Sequence, residues 1–180
     1  MADTNSGLWL DQNLTVNANT VYVNPTGEDQ ELVAKDVEIS MPEVKNLTVD
    51  ATAMGKLTVP VISQFENMEA KIHHIGADLG LAKMLAQSTL EIEVRWVEQM
   101  MKEDGSQTRV GCKAYLTGFP EIAVPSFTVK PGEAVDVEIP YTITGYKMVK
   151  DGETLWDINR LTQKCIINGV DYFADMSSLL

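Results

Sequence analysis

The sequence predicts a mainly β domain of the α+β kind, an antiparallel β-sandwich or half-barrel carrying one short helix. Three observations predict it. Apolar and polar residues alternate with period two over long stretches. The turn dipeptides Asp104-Gly105, Pro131-Gly132, Asp151-Gly152 and Asn168-Gly169 separate those stretches. Only one segment has helical spacing. At 180 residues, with 44% hydrophobic and 22% charged side chains, the chain suits one domain with a sizeable core.

Met1 to Asn19 is polar and Asn-rich, and is expected to be an N-terminal segment ending in a strand; residues 20–180 are expected to form a single domain. Val21-Tyr22-Val23 and Val37-Glu38-Ile39 are strand candidates flanking the turn-prone Pro25-Thr26-Gly27. Pro42 to Pro60 contains Val44, Leu47, Val49, Met54, Leu57 and Val59 around Gly55. That stretch is too apolar for a free loop and too weakly patterned for a firm strand. An extended hairpin at about 42–60 that orders against another subunit accounts for both properties, as does a flap over the protein's own core. Asp78 is placed to cap a helix through Gln87, with Leu79, Ala82, Met84, Leu85 and Ala86 at helical spacing. Three turns are stable only when an apolar face packs on something larger.

Leu90, Ile92, Val94 and Trp96 then alternate with Glu91, Glu93 and Arg95. Across Asp104-Gly105, the alternating Val110, Cys112, Ala114 and Leu116 complete a long hairpin. Val135 to Ile143 alternates again, and Pro140 within it implies an edge or a bulge. Tyr146–Lys150 and Thr154–Ile158 flank Asp151-Gly152. Asn168-Gly169 is the strongest hairpin signal, between Lys164–Ile167 and Val170–Phe173.

Charge excludes several functions. Fourteen Lys and Arg against 26 Asp and Glu give a net charge of -12. A wrapped or groove-bound nucleic acid needs a basic footprint, and so does docking on an anionic membrane. A nucleic acid that only passes nearby is not excluded. Charged residues interrupt every apolar stretch short of a membrane span, and Met1 to Gly7 lacks the features of a signal peptide, so no membrane anchor is expected. Cys112 and Cys165 are expected as two buried thiols.

Chemistry is sparse. His73 and His74 are adjacent, so on a strand they point to opposite faces and do not share a metal. No CxxC, HExxH, GxSxG or phosphate-binding glycine loop occurs. The carboxylates Asp151, Glu153 and Asp157, and the pair Glu91 and Glu93, read as a solvated acidic surface. Trp9, Trp96 and Trp156 read as core or interface anchors. No catalytic residue, cofactor or metal is expected. What remains is a structural or binding protein whose exposed strand edges neighbouring subunits would close. A monomeric β-sandwich binding module, for instance for carbohydrate, and a carboxylate hydrolase are the competing classes.

Several motifs occur in a familiar order: Lys130-Pro-Gly-Glu133, Tyr146-Lys147, Asp151-Gly-Glu153, Asp157-Ile158-Asn159, and Ile167-Asn-Gly-Val-Asp171. Upstream lie Glu38 to Pro42 and Gly55-Lys-Leu-Thr-Val59. The set resembles the major tail tube protein family of contractile-tailed bacteriophages and phage-tail-like bacteriocins, over most of residues 20–176. The longer polar N-terminus and the non-basic end after Asp171 depart from that pattern. The resemblance implies a structural subunit that forms hexameric rings, completes an inner β-barrel on hexamerisation and stacks into a rigid tube conducting DNA to the host. It implies as partners other copies of the chain, a contractile sheath protein, baseplate or initiator and tail terminator proteins, a tape measure protein in the lumen, and DNA as transient non-specific cargo. The place implied is a virion tail assembled in the host bacterial cytoplasm. A bacteriocin or contractile injection system tube without DNA is the near alternative. The family's inter-ring hairpin falls on about 42–60, making Val44, Leu47, Val49 and Met54 candidate inter-subunit contacts. Glu38, Glu91 and Glu93 are candidates for an acidic lumen wall that repels phosphate.

Overall fold

The computed structural model describes residues 12–24, 30–52 and 54–174. Among them the order is β1 (Gln12–Val23), β2 (Glu31–Lys35), β3 (Ile39–Ser40), β4 (Asn46–Thr52), β5 (Lys56–Phe65), β6 (Met68–Ile75), α1 (Leu79–Ala86), β7 (Leu90–Met101), β8 (Gln107–Pro120), β9 (Asp136–Lys150), β10 (Glu153–Asn159), β11 (Lys164–Ile167) and β12 (Val170–Asp171). Ten strands form one antiparallel sheet in the order β12-β11-β10-β9-β8-β7-β1-β2, with β6 added on β9 and β3 on β6. Strands β4 and β5 form a separate two-stranded sheet. The large sheet is not closed, and the half-barrel it makes encloses the core with α1 inside its curve.

Strand β9 organises this sheet. One edge pairs with β8, while the other pairs first with β6 and then with β10. The ladder with β8 matches Thr117 to Gly145 and Gly118 to Ile143, so Thr144 is an extra residue on β9. The bulge switches which side chains face the core. Val137, Ile139, Tyr141 and Ile143 face it before the bulge, Tyr146 and Met148 after it. Gly118 is required opposite: a Cβ there would lie 2.2 Å from the Thr142 carbonyl oxygen. Pro140 pairs with Lys71 of β6, and its carbonyl accepts from Glu121 N beyond the end of β8. Its missing N–H therefore faces the place where the β8 ladder stops, the internal edge that a strand proline needs.

The helix follows the expected logic. The Asp78 carboxylate accepts from Leu81 N at 2.8 Å, Leu81 and Met84 are buried, and Tyr141 reaches Met84 Sδ at 3.9 Å. Around it, Val21, Val23, Ile72, Leu90, Ile92, Leu116, Ile139 and Ile143 are almost fully buried, each large side chain contributing about 1.5–3 kcal/mol. A smaller cluster of Ile158, Cys165 and Phe173 lies under β10 and β11. Both cysteines are buried free thiols. Asn168 and Gly169 have φ of 49° and 78°, the left-handed pair of a two-residue hairpin.

Three boundaries differ from the sequence reading. Strand β2 at Glu31–Lys35 is additional; only Val33 of its five residues is buried, so it shows little alternation. Of Val37-Glu38-Ile39, only Ile39 enters a strand, in β3. Residues 135–143 and 146–150 belong to one strand because the bulge, not a break, interrupts their alternation. Residues 1–11, with Trp9, lie outside the described residues, as does Pro25-Thr26-Gly27.

Two of the buried polar groups, Glu98 and His74, make stability sensitive to substitution and to pH. Glu98 accepts from Lys150 Nζ at 2.7 Å and from Trp96 Nε1 at 2.9 Å. Burial alone would push its carboxyl up, but these hydrogen bonds and the Lys150 charge hold it below the usual carboxylate range. Burial, helped by Glu98, pushes the neighbouring Cys112 thiol up to about 11, so it stays protonated. Lys150→Met is expected to cost about 2 kcal/mol in urea denaturation, because Glu98 loses its charged partner, whereas Lys150→Met with Glu98→Gln recovers much of that loss.

His74 is almost completely buried, and its Nε2 has no hydrogen-bond partner. Burial lowers its pKa from the ordinary 6.5, with the His73 ring adding to the effect against the opposing Asp78 charge. As pH falls through 6.5 the unfolded chain takes up this proton first, so stability falls until pH reaches the lowered native value. His74→Leu is expected to lose stability less steeply below pH 6.5 than the native chain; equal slopes in denaturation at matched pH would refute that.

Candidate assembly surfaces

The β4–β5 hairpin has the first unusual surface. Its register places Val49 opposite Val59 and Ala51 opposite Leu57. The alternate residues pair Asp50 with Thr58 and Thr52 with Lys56. One face is therefore apolar and the other polar, and Asp50 is held by Lys56 at 2.9 Å and by the Thr58 hydroxyl at 3.1 Å. Such alternation is the sign of a half-buried sheet, yet all seven residues of β4 are exposed. An isolated two-stranded hairpin is marginal in water. Its base is tied down: Glu66 N donates to Lys45 O, Arg160 reaches Phe65 O at 3.4 Å, and Phe65 meets Phe173 edge to face at 6.5 Å.

The candidate contact residues divide along this hairpin. Val44 precedes it, is half-buried and packs against both core clusters. Leu47 is at the base, 39% exposed, and lines a cavity of about 260 Å³ with Phe65 and Phe173. Val49 is 54% exposed on the apolar face, and Met54 is fully exposed at the tip beside Gly55. Leu57, equally exposed on the same face, completes the set. It was readable in the alternation of Lys56-Leu57-Thr58-Val59.

The second surface is the face of the large sheet turned away from the core. Glu91 and Glu93 both lie on it, but differ in setting. Glu91 is exposed, whereas the Glu93 side chain is 3% exposed. Arg95 binds both Glu93 oxygens at 2.6 and 3.0 Å, Gln30 donates at 3.3 Å, and Lys113 lies 3.9 Å away. The Arg95 guanidinium also stacks 4.4 Å over the Tyr22 ring. Bidentate pairing and stacking suit an arginine that no lysine would replace. Glu38 is exposed ahead of β3, separated from β7 by β6, β9 and β8. The three glutamates are thus not one contiguous acidic patch: three strands separate Glu38 from the other two, and Arg95 and Lys113 offset the charge of Glu93. On β6 and β9, His73 places Nδ1 3.2 Å from Asp136 and Nε2 3.1 Å from Glu138, and Lys71 joins Glu138 at 3.2 Å.

A third surface lies along α1, where Val124 and Phe127 of the segment joining β8 to β9 line a groove with Leu81, Ala82 and Leu85; in that segment the sequence reading singled out the Lys130–Glu133 turn but not this surface. Among the described residues no group of three or more His, Cys, Asp or Glu side chains is arranged to hold a metal. No helix there is long and apolar enough to cross a membrane.

These surfaces lie within a match over residues 15–180 to the family model described as phage tail tube protein FII. The chain belongs to the phage tail tube protein FII family. It is a structural subunit of a tail tube, and so a component of a tail assembly. The family match takes in the separate hairpin and every turn motif from Lys130 to Asp171, and it leaves out the first fourteen residues. Among solved structures, a chain of the sheath-tube complex of an extracellular contractile injection system, PVC, in the extended state is similar at 14% identity and a TM-score of 0.48, covering 76% of this chain and 90% of that one. A chain of the sheath/tube terminator of the same system gives 14% identity, a TM-score of 0.48, and coverage of 77% and 97%. Comparison with curated proteins finds no match.

Proposed function

We propose that this tail tube subunit forms hexameric rings that stack into the rigid inner tube of a contractile phage tail, and that the tube conducts DNA. The observation that carries this reading is the β4–β5 hairpin. It has the amphipathic pattern of a buried sheet and no core of its own to cover it. A second copy in the adjoining ring supplies the missing cover, with Leu47, Val49, Met54 and Leu57 as the contacting side chains. Each contact is modest, and repetition around a ring and along a tube multiplies it. Unpaired strand edges of the large sheet meet those of neighbouring copies, so the closed ring presents no free edge to the lumen.

Around this tube the reading places a contractile sheath protein, an initiator at the baseplate and a terminator at the far end, with a tape measure protein and then DNA inside. Assembly takes place in the host bacterial cytoplasm. The net charge of -12 favours passage over binding, since a conduit must not hold phosphate. Glu38 and Glu91 contribute to that repulsion on whichever wall faces the lumen. The Glu93 carboxylate contributes less, because Arg95 neutralises it within the subunit.

Val49→Asp tests the hairpin better than Leu47→Asp, because Leu47 also borders the subunit's own cavity. Val49→Asp is expected to leave the monomer's circular dichroism and melting unchanged while abolishing rings or tubes of uniform bore in negative-stain images. Normal tubes from that variant would overturn the hairpin's role. A native chain that stays monomeric by light scattering at every concentration, even with tail initiator present, would overturn the tube itself.

A further inference from the structure

The groove along α1 has a volume of about 450 Å³. Leu81, Ala82, Leu85 and Ala86 form its floor, and Val124 and Phe127 its wall. Ala82 and Ala86 lie one helical turn apart, and their small side chains leave the depression open. Val124 is 82% exposed and Phe127 45%, so among the described residues the subunit does not fill the groove itself. We propose that it receives the β4–β5 hairpin of a second copy of the chain, in the adjoining ring, with Val49, Met54 and Leu57 entering between α1 and Val124. The proposal rests on the tube reading for the presence of that ring, and it names the surface that takes the hairpin.

Position selects this occupant. The hairpin ends at Phe65, and β6 opens at Met68. Strand β6 runs along β9 from Met68, opposite Ile143, to Ile75, opposite Asp136. That is about 24 Å at the strand rise. Gly76 N then donates to Val135 O, and α1 follows. The hairpin's foot and the groove therefore stand at opposite ends of β6. In rings stacked in one sense, a subunit that sends its hairpin out of one end meets the other end of a subunit in the next ring. The two cavities beside the hairpin's own foot, one at Leu47 and Phe173 and one at Val44 and Trp156, are at the wrong end for that contact. A contact between unlike ends also repeats without closing, as a filament requires.

Shape and charge agree with position. Val49 and Leu57 stand exposed on one face of the hairpin and Met54 at its tip. They form a ridge of larger side chains where α1 offers alanines, the interdigitation that close packing needs. Copies of a chain with net charge -12 repel one another, and least where both surfaces are neutral. Residues 46–65 hold one Asp and one Lys, and these pair with each other at 2.9 Å. Asp78 is the one charged residue lining the groove, and its carboxylate is committed to Leu81 N at 2.8 Å. The groove on the outward sheet face holds Arg95 and Lys113 instead, and both already serve Glu93.

The test uses full-length chains with single added cysteines at exposed positions. Leu57→Cys in one and Val124→Cys in another are mixed, assembled with tail initiator present and treated with a short bismaleimide. The native chain is the control, since Cys112 and Cys165 are buried. A cross-linked heterodimer is expected from the mixture, and a ladder of multimers from a chain carrying both changes. Val124→Asp, at a site the subunit does not bury, is expected to raise the concentration needed for assembly about tenfold with the monomer's melting unchanged. Tubes that form without the cross-link, or a Val124→Asp chain that assembles like the native one, overturn the docking and leave the tube reading standing. A looped monomer in place of the ladder also overturns it, since the hairpin would then lie on its own subunit's groove. Chains that never assemble, even with initiator, overturn the tube reading and this docking with it.

Discussion

One fifteen-residue strand has to serve three neighbours. Strand β9 gives one edge to β8 from Tyr141 to Lys150 and divides its other edge between β6 and β10. A flat strand with strict alternation would present one row of side chains to one layer throughout. The extra residue Thr144 breaks that row, so Ile143 and Tyr146 both turn inward although three positions separate them. Beyond the bulge, β10, β11 and β12 extend the sheet from β9 over their own small cluster of Ile158, Cys165 and Phe173. Gly118 is the cost of the arrangement on the facing strand, where any side chain would strike the Thr142 carbonyl. The placement of the hairpin follows too, because Phe65 at its foot is held by Phe173 of that smaller cluster.

Much of this was legible in the sequence where a segment's pattern depends on its own core. The β7–β8 hairpin, the capped helix and the Asn168-Gly169 turn each carry local chemistry sufficient to specify them. Strand β2 was not legible because it lies at the end of the sheet and buries only Val33. The continuity of β9 was hidden by its bulge, which shifts the alternation by one residue and so imitates a break. The hairpin presented the opposite case. Its alternation from Asp50 to Val59 was present, but Pro60 and the tip interrupted it and no large core lay opposite to reinforce it.

The candidate surface was legible only in part, for a reason of geometry. Period-two patterning places Glu91 and Glu93 on one face, and they are on one face. It does not say which cations lie across the ladder. Arg95 is two residues along the same strand, Lys113 is on β8 and Gln30 precedes β2, and together they turn Glu93 from a surface charge into a buried carboxylate satisfied by partly exposed cations. Removing Arg95 would leave that carboxylate buried without its main partner, which is strongly unfavourable, whereas Arg95 left alone keeps access to solvent. The acidity evident in composition is therefore structured locally into paired and solvated groups, and net charge alone does not describe any one wall.

The same division between satisfied and unsatisfied surface separates folding from assembly. The half-barrel meets most of its needs internally, with its apolar core buried and Glu98 matched, although His74 Nε2 is not. The hairpin does not: its strands pair only with each other, and among the described residues Val49, Leu57 and Met54 of its apolar side remain exposed. Asp50, Thr58 and Lys56 keep the opposite face wet, so a lone subunit exposes a narrow apolar strip instead of a sticky sheet. Under the proposed tube function, an amphipathic hairpin on a finished core would make growth depend on a template already in place, the property a tube of defined bore requires.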